Sequence, residues 1–249
     1  MSTIHSNLVN PQLDFRVYAG SLLSGTTVGC WFDPSDLSTV FTDVAGTTPA
    51  NVGDAVALIK DKSGNGNDAS QATADQRPIL RQSAAGRYYL EFDGGNDGLK
   101  TGSISFSANS DLTILCGVSF ADKNGNQTLF SSNSRNPWYF KRRNGLDGAL
   151  SFNTSADGDF LGSTDLGDGV HVISTLISAG DNEHRIDFAS DATSASSLTY
   201  TMDEVWIGVG SDTFNELEGD LYSFIIAGSA NQESAIKLAE HFVNGKTNG

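Results

Sequence analysis

Asn-Gly and Asp-Gly pairs punctuate this chain, among them Asn65-Gly66, Asn124-Gly125, Asn144-Gly145, Asp147-Gly148, Asp157-Gly158 and Asp168-Gly169. Such pairs tolerate the positive φ angles that two-residue hairpins require. Short apolar runs separate them. Those that read as strands are Val28–Phe32, Ala55–Ile59, Tyr88–Phe92, Leu112–Phe120, Thr128–Ser131, Trp138–Lys141, Ala149–Phe152, His171–Ile177, His184–Phe188, Glu204–Val209 and Asp220–Ile226. Many short strands joined by tight turns specify an all-β sandwich or barrel. The 27 Gly against 5 Pro suit that architecture, and 249 residues that are 38% hydrophobic can bury a substantial core. No internal repeat of fixed period is present.

Two features depart from the strand pattern. Near the end, Ser229 with Gln232 forms a capping-box pattern, Ile236, Ala239, Phe242 and Val243 recur at helical spacing, and Gly245 supplies a stop. A helix there would cover one end or edge of the sandwich. A second, short helical turn is expected at Ser35–Phe41. At the other end, residues 1–27 read as an arm or linker ahead of a domain spanning 28–249. The Leu13, Phe15, Val17 alternation within the arm would make one strand that docks onto a neighbour.

The formal net charge is −15, which would repel a phosphate backbone, so nucleic acid is excluded as a partner. Cys30 and Cys116 both sit in apolar strand-like runs and read as buried free thiols rather than a bridge. The first residues lack a charged segment followed by an apolar one, so no secretory signal is expected. No run of about 18 apolar residues exists to span a membrane.

Between Trp31 and Leu99 the chain resembles a known family. The matching residues are Trp31, Asp33, Ser35 and Asp36, then Asp61 through Asn67, then Arg77-Pro78, then Phe92-Asp93-Gly94; Gly219-Asp220-Leu221, Ile225-Ile226 and the terminal helix complete the match. Residues 28–246 thereby resemble the concanavalin A-like lectin/glucanase superfamily, in the laminin-G-like form found in bacteriophage virion proteins. The resemblance implies a two-sheet antiparallel jelly roll whose first and last strands pair. It also implies a non-enzymatic virion structural protein: a capsid decoration, head fibre or tail fibre component whose lectin-like domain binds host-surface glycan. Display of that kind implies a homo-oligomer such as a trimer, anchored to other virion proteins through residues 1–27. The alternatives are a free carbohydrate-binding lectin and a jelly-roll glycoside hydrolase.

Three groups of residues carry the site expectations. Arg135, Trp138, Tyr139, Lys141, Arg142 and Arg143 form the basic cluster of an acidic chain, among aromatics. Aromatic faces stack on sugar rings and guanidinium donors reach hydroxyls, so this is the expected glycan or partner contact. Asp61, Ser63, Asn65 and Asn67 imitate the start of a calcium loop, but the twelfth position is Ala72 rather than a bidentate Glu. A side-chain-to-backbone turn is the preferred reading of that loop, with calcium there or near Asp93 and Asp97 as the option; no other cofactor is expected. Glu216, Glu218 and Asp220 alternate and would share one face of a strand, as the carboxylates of jelly-roll glucanases do. Gly219 interrupts that run, so a solvated acidic turn is preferred. No HExxH or GxSxG pattern occurs, and the histidines at 5, 171, 184 and 241 are scattered. Trp31 and Trp206 read as core.

Overall fold

The computed structural model describes residues 22–23, 27–121, 126–132, 137–141, 148–154, 156–209, 215–229 and 233–248. Among the described residues, seventeen strands in chain order build two antiparallel sheets. The strands are β1 (Gly29–Phe32), β2 (Val40–Phe41), β3 (Leu58–Ile59), β4 (Ala69–Ser70), β5 (Ile79–Gln82), β6 (Tyr88–Asp93), β7 (Leu99–Thr101), β8 (Leu112–Phe120) and β9 (Gln127–Ser131), followed by β10 (Trp138–Lys141), β11 (Leu150–Thr154), β12 (Gly158–Leu161), β13 (Val170–Ile177), β14 (Asn182–Ile186), β15 (Ala189–Ser194), β16 (Trp206–Ile207) and β17 (Glu218–Ala227). The eight-stranded sheet runs β15-β14-β13-β8-β17-β6-β5, with β1 also paired to β17; the nine-stranded sheet runs β12-β11-β10-β9-β16-β7-β4-β3-β2. The first and last strands pair as the jelly roll requires, with Trp31 opposite Ile225 and Phe32 opposite Phe224.

Alternation along each strand divides the residues between two apolar clusters. Ile114, Cys116 and Val118 of β8 point inward, with Phe224 and Ile226 of β17, to meet Phe130, Tyr139, Phe152 and Ile207 of the other sheet. The opposite face of the eight-stranded sheet carries Trp31, Leu115, Val172 and Ile225. The helix α1 (Glu233–Thr247) covers that face through Ala239, Phe242 and Val243, joined by Leu22 and Leu23, which precede β1. Gly117 allows the close approach: a Cβ there would lie 2.1 Å from Thr247 Oγ1 and 2.9 Å from Val243 Cγ1. Beneath the helix, Glu240 accepts hydrogen bonds from Ser174 (2.6 Å) and Arg185 (2.8 Å). α1 continues through Gly245, which the sequence marks as its stop, and Gln232 of the expected cap lies outside the described residues.

The two sheets are also tied by a polar column through the core. His184 Nε2 faces the Phe160 carbonyl (3.1 Å), which can only accept, so Nε2 carries the proton. Nδ1 therefore accepts from Thr175 (2.7 Å), whose Oγ1 in turn accepts from the Tyr139 hydroxyl (2.6 Å). The imidazole stacks on Phe160 with ring centroids 4.0 Å apart. Burial lowers its pKa to about 4. Cys30 and Cys116 are free and buried, and burial raises both thiols. No helix among the described residues is long and apolar enough to cross a membrane.

Candidate functional site

Of the expected basic and aromatic cluster, the structure places Tyr139 inside the sandwich. Tyr139 is fully buried: its ring packs against Phe130 and Phe152 and its hydroxyl bonds Thr175, so it is core and presents nothing to a glycan. Trp138 and Lys141 stand at opposite ends of β10, about 10 Å apart by strand rise. Arg135, Arg142 and Arg143 lie outside the described residues, as does the Leu13, Phe15, Val17 segment.

The backbone sets a different row in place. Across the nine-stranded sheet, Asp159 lies opposite Asn153, Asn153 opposite residue 138, residue 138 opposite Ser131, Ser131 opposite Trp206, Trp206 opposite Lys100, and Lys100 opposite Ser70. Opposed residues share a face. The next residues along β12, β11, β16 and β7, Phe160, Phe152, Ile207 and Leu99, are all in the core, so Asp159, Asn153, Trp206 and Lys100 face outward, while Ser131 on the same row is buried. Trp206 is half-buried rather than core, which corrects the sequence reading. Its Nε1 donates to Glu204 (2.6 Å), and the Lys100 ammonium lies 3.7 Å from its ring centroid. At the far side of the row Asn153 donates to Asp159 (2.6 Å). Trp31 is core, edge-on to Phe242 under α1.

A second outward feature is a cleft of about 440 Å³ on the eight-stranded sheet, beyond the end of α1's footprint, lined by Glu91, Asp93, Asp97, Ser119, Glu218 and Asp220. β6 and β17 create it by register: Glu218 faces Asp93, and Asp220 faces Glu91. Glu218 and Asp220 thus share a face as the alternation implies. Glu216 does not join them; it precedes the strand and is buried, with Oε2 accepting the Asn215 N–H. Burial, then the neighbouring Asp93 carboxylate, raises the Asp97 pKa to about 6. Burial likewise raises Asp220 against the opposing bond from Ser119. Glu91 pairs with Arg81 (2.7 Å), and Tyr89 and Tyr222 lie together beside the cleft, 5.2 Å between centroids.

The loop from Asp61 is a hydrogen-bonded hub. Asp61 Oδ1 accepts the N–H groups of Trp31 and Ser63, while Oδ2 accepts the Ser63 hydroxyl and the Asn67 N–H. All four carboxylate lone pairs are thereby engaged by the chain itself. Asn65 and Asn67 both donate to the Gly29 carbonyl, and Ser63 Oγ accepts the Asn65 N–H. The residues perform the side-chain-to-backbone role, fastening the loop to β1. Among the described residues no group of three or more His, Cys, Asp or Glu side chains is spaced to hold a metal ion.

No protein-family model matches the chain, and none of the curated proteins does. Solved structures do. The fourth domain of AbnA, a GH43 extracellular arabinanase from Geobacillus stearothermophilus, in complex with arabinotriose, is 15% identical at a TM-score of 0.57, over 85% of this chain and 98% of that one. The Trypanosoma rangeli sialidase is 10% identical at 0.57, over 89% of this chain and 33% of its own. The binding domain of Paraclostridial Mosquitocidal Protein 1 is 15% identical at 0.56, over 74% and 49%. At such identities the likeness speaks for architecture alone, and the fold is a jelly-roll β-sandwich.

Proposed function

We propose that the chain is a non-catalytic, lectin-like module of a tailed-phage virion, a capsid decoration, head fibre or tail fibre component that binds host-surface glycan. The observation that carries the binding half is the outward row with Trp206 half-buried between Glu204 and Lys100. An indole supported on a sheet, with hydrogen-bonding groups to either side, suits the apolar face and hydroxyl rim of a sugar. A similar sandwich is in complex with arabinotriose and another is the binding domain of a mosquitocidal protein. The virion half follows the resemblance of residues 28–246. In this reading residues 1–27 anchor the module and gather copies of it. Leu22 and Leu23, held in the cluster under α1, would give that arm a fixed point of departure.

A glycan array probed with the full chain tests the binding half. Specific capture, abolished by Trp206→Ala, is the expected result; silence across host-surface glycans sinks it.

A second reading has one specific observation behind it. Asp97 and Asp220, both pushed up by burial, stand among other carboxylates in the acidic cleft, and a carboxyl group with raised pKa is what the general acid of glycoside hydrolysis requires. Following polysaccharide cleavage by the wild type and by Asp97→Asn and Asp220→Asn variants separates the readings. Cleavage lost in both variants would favour hydrolysis, and no cleavage by the wild type ends that reading.

A further inference from the structure

We propose that the acidic cleft on the eight-stranded sheet binds an amino sugar through its protonated amine. The site is separate from the Trp206 face of the other sheet, and only the choice of a sugar as the body of the ligand rests on the glycan reading above.

Register forces like charges together. On β6 and β17, Glu218 stands opposite Asp93 and Asp220 opposite Glu91. Like charges directly opposite one another weaken strand pairing. β17 lies between β8 and β6, and β6 between β17 and β5, so these acids guard no sheet edge. Asp97 adds a further carboxylate to the same cleft. Arg81 pairs with Glu91 (2.7 Å), but Asp93, Asp97 and Asp220 make no ion pair among the described residues. A fold carries local conflict of this kind chiefly where a site needs it.

Asp97 shows independently what the cleft lacks. It lines the cleft while only 5% exposed, and its Oδ2 accepts the Asp93 N–H (3.1 Å). Its Oδ1 has no hydrogen bond or ion pair among the described residues, whereas a carboxylate so buried is ordinarily engaged through both oxygens. Burial first, then the Asp93 and Glu91 carboxylates, push its pKa up to about 6, and an incoming positive charge would reverse that push.

The lining sets the chemical class. Among the described residues no three acids are spaced to hold a metal ion, so the cation that fits is an organic one. The volume of about 440 Å³ falls within the range of small-molecule sites, and Ile79 and Phe120 add apolar wall. On β6, Tyr89 alternates with Glu91 and Asp93 and so shares their face; it is half-buried and lies against Tyr222. A sugar whose C–H face lies on Tyr89 can direct the three donors of its ammonium at the carboxylates. A lysine side chain from a protein partner offers the ammonium without the flat face.

The test is titration calorimetry of the full chain with the β-1,4-glucosamine tetramer, the same tetramer fully N-acetylated, and tetralysine. The glucosamine tetramer should bind, and the other two about tenfold or more weakly. Asp97→Asn and Asp220→Asn should each weaken it by roughly tenfold. The Asp97 variant should do so without a fall in thermal midpoint, which separates loss of the site from loss of the fold. No binding of the glucosamine tetramer, equal binding of its acetylated form, or unchanged affinity in both variants overturns the inference. Tetralysine binding as tightly, and lost in the same variants, assigns the cleft to a basic protein partner and overturns the sugar. Capture on the array that depends on Trp206, with no binding of the glucosamine tetramer, removes this inference and leaves the glycan reading standing; a silent array beside a bound glucosamine tetramer does the reverse.

Discussion

Asp61 shows how one side chain organises a loop. Its carboxylate receives four hydrogen bonds, one of them from Trp31 in β1, thirty residues earlier. Asp61→Ala would leave several part-buried donors unmatched, and a loss of about 3–4 kcal/mol in urea unfolding is expected. Because the lone pairs are already engaged, added calcium or chelator should leave the thermal midpoint where it is. A rise of several degrees with calcium would show that the loop rearranges around an ion. Gly29, whose carbonyl receives Asn65 and Asn67, has φ +144° and would set a Cβ 2.0 Å from the Ile226 carbonyl oxygen, so the β1–β17 pairing admits only glycine there. Asp97 makes a pH-dependent contribution. Its folded pKa, about 6, lies above the roughly 3.9 of an unfolded Asp, so the folded state holds its proton more tightly. Stability is therefore lost as pH rises from about 4 to 6. Asp97→Asn should raise the thermal midpoint at pH 7.5 and leave it unchanged near pH 4, which melting curves at the two pH values decide.

At the scale of elements, α1 is attached by an apolar face, by Lys246 near its end, which reaches Ser35 (2.6 Å) and Asp33 (3.6 Å), and by the buried pair of Glu240 with Arg185. Glu240 is 1% exposed and bonds both Ser174 and Arg185. Removing one partner strands the other charge, so Glu240→Ala should cost about 3–5 kcal/mol in chemical denaturation. The double variant Arg185→Met, Glu240→Leu should recover most of that loss, since replacing both charges abolishes the desolvation cost along with the attraction. If the double variant is as unstable as the single one, the pair does more than satisfy itself. β16 illustrates why element reading from sequence falters. Val205, Trp206 and Ile207 are all apolar, so no alternation is visible, yet Val205 and Ile207 are core and Trp206 faces outward. The polar edge strand β15 and the short β4, β5, β7 and β12 carry too little apolar pattern to read as strands, and they form because neighbouring strands supply hydrogen-bond partners. Asp187 and Phe188, at φ +49° and +73°, end β14 earlier than its apolar residues suggest and turn the chain into β15.

For the whole molecule, the column from Tyr139 through Thr175 and His184 to Phe160 joins the two sheets, so its titration acts on the entire sandwich. His184 titrates near 4 when folded, because of burial, and near 6.5 when unfolded. Above pH 6.5 the ring is neutral in both states and the column contributes fully. Between 6.5 and 4 the unfolded chain takes up the proton first, and stability falls by up to about 3 kcal/mol. Asp97 works in the opposite sense over part of that window, so the Asp97→Asn background should display the acid loss undiluted. Urea midpoints from pH 7 to 4 measure it, and a His184→Gln variant on that background should flatten the curve. A curve that keeps its slope in that variant would place the titrating group elsewhere.

The family resemblance implied the pairing of first strand with last; the residues by themselves determined the all-β class, the terminal helix and the turn-making role of the Asp61 loop. These depend on local chemistry: which dipeptides accept positive φ, which residues recur at helical spacing, which side chains bond their own backbone. Only the tertiary structure decided that Tyr139 is core, that Trp206 is not, and that Glu91 and Asp93 face Asp220 and Glu218 across more than a hundred residues of chain. Those outcomes hang on strand register and face, and with a side-chain period of two a shift of one residue sends every side chain to the opposite face. Runs that are apolar throughout, or polar throughout, hold no information about which of the two faces each residue takes, and contact between distant strands supplies it.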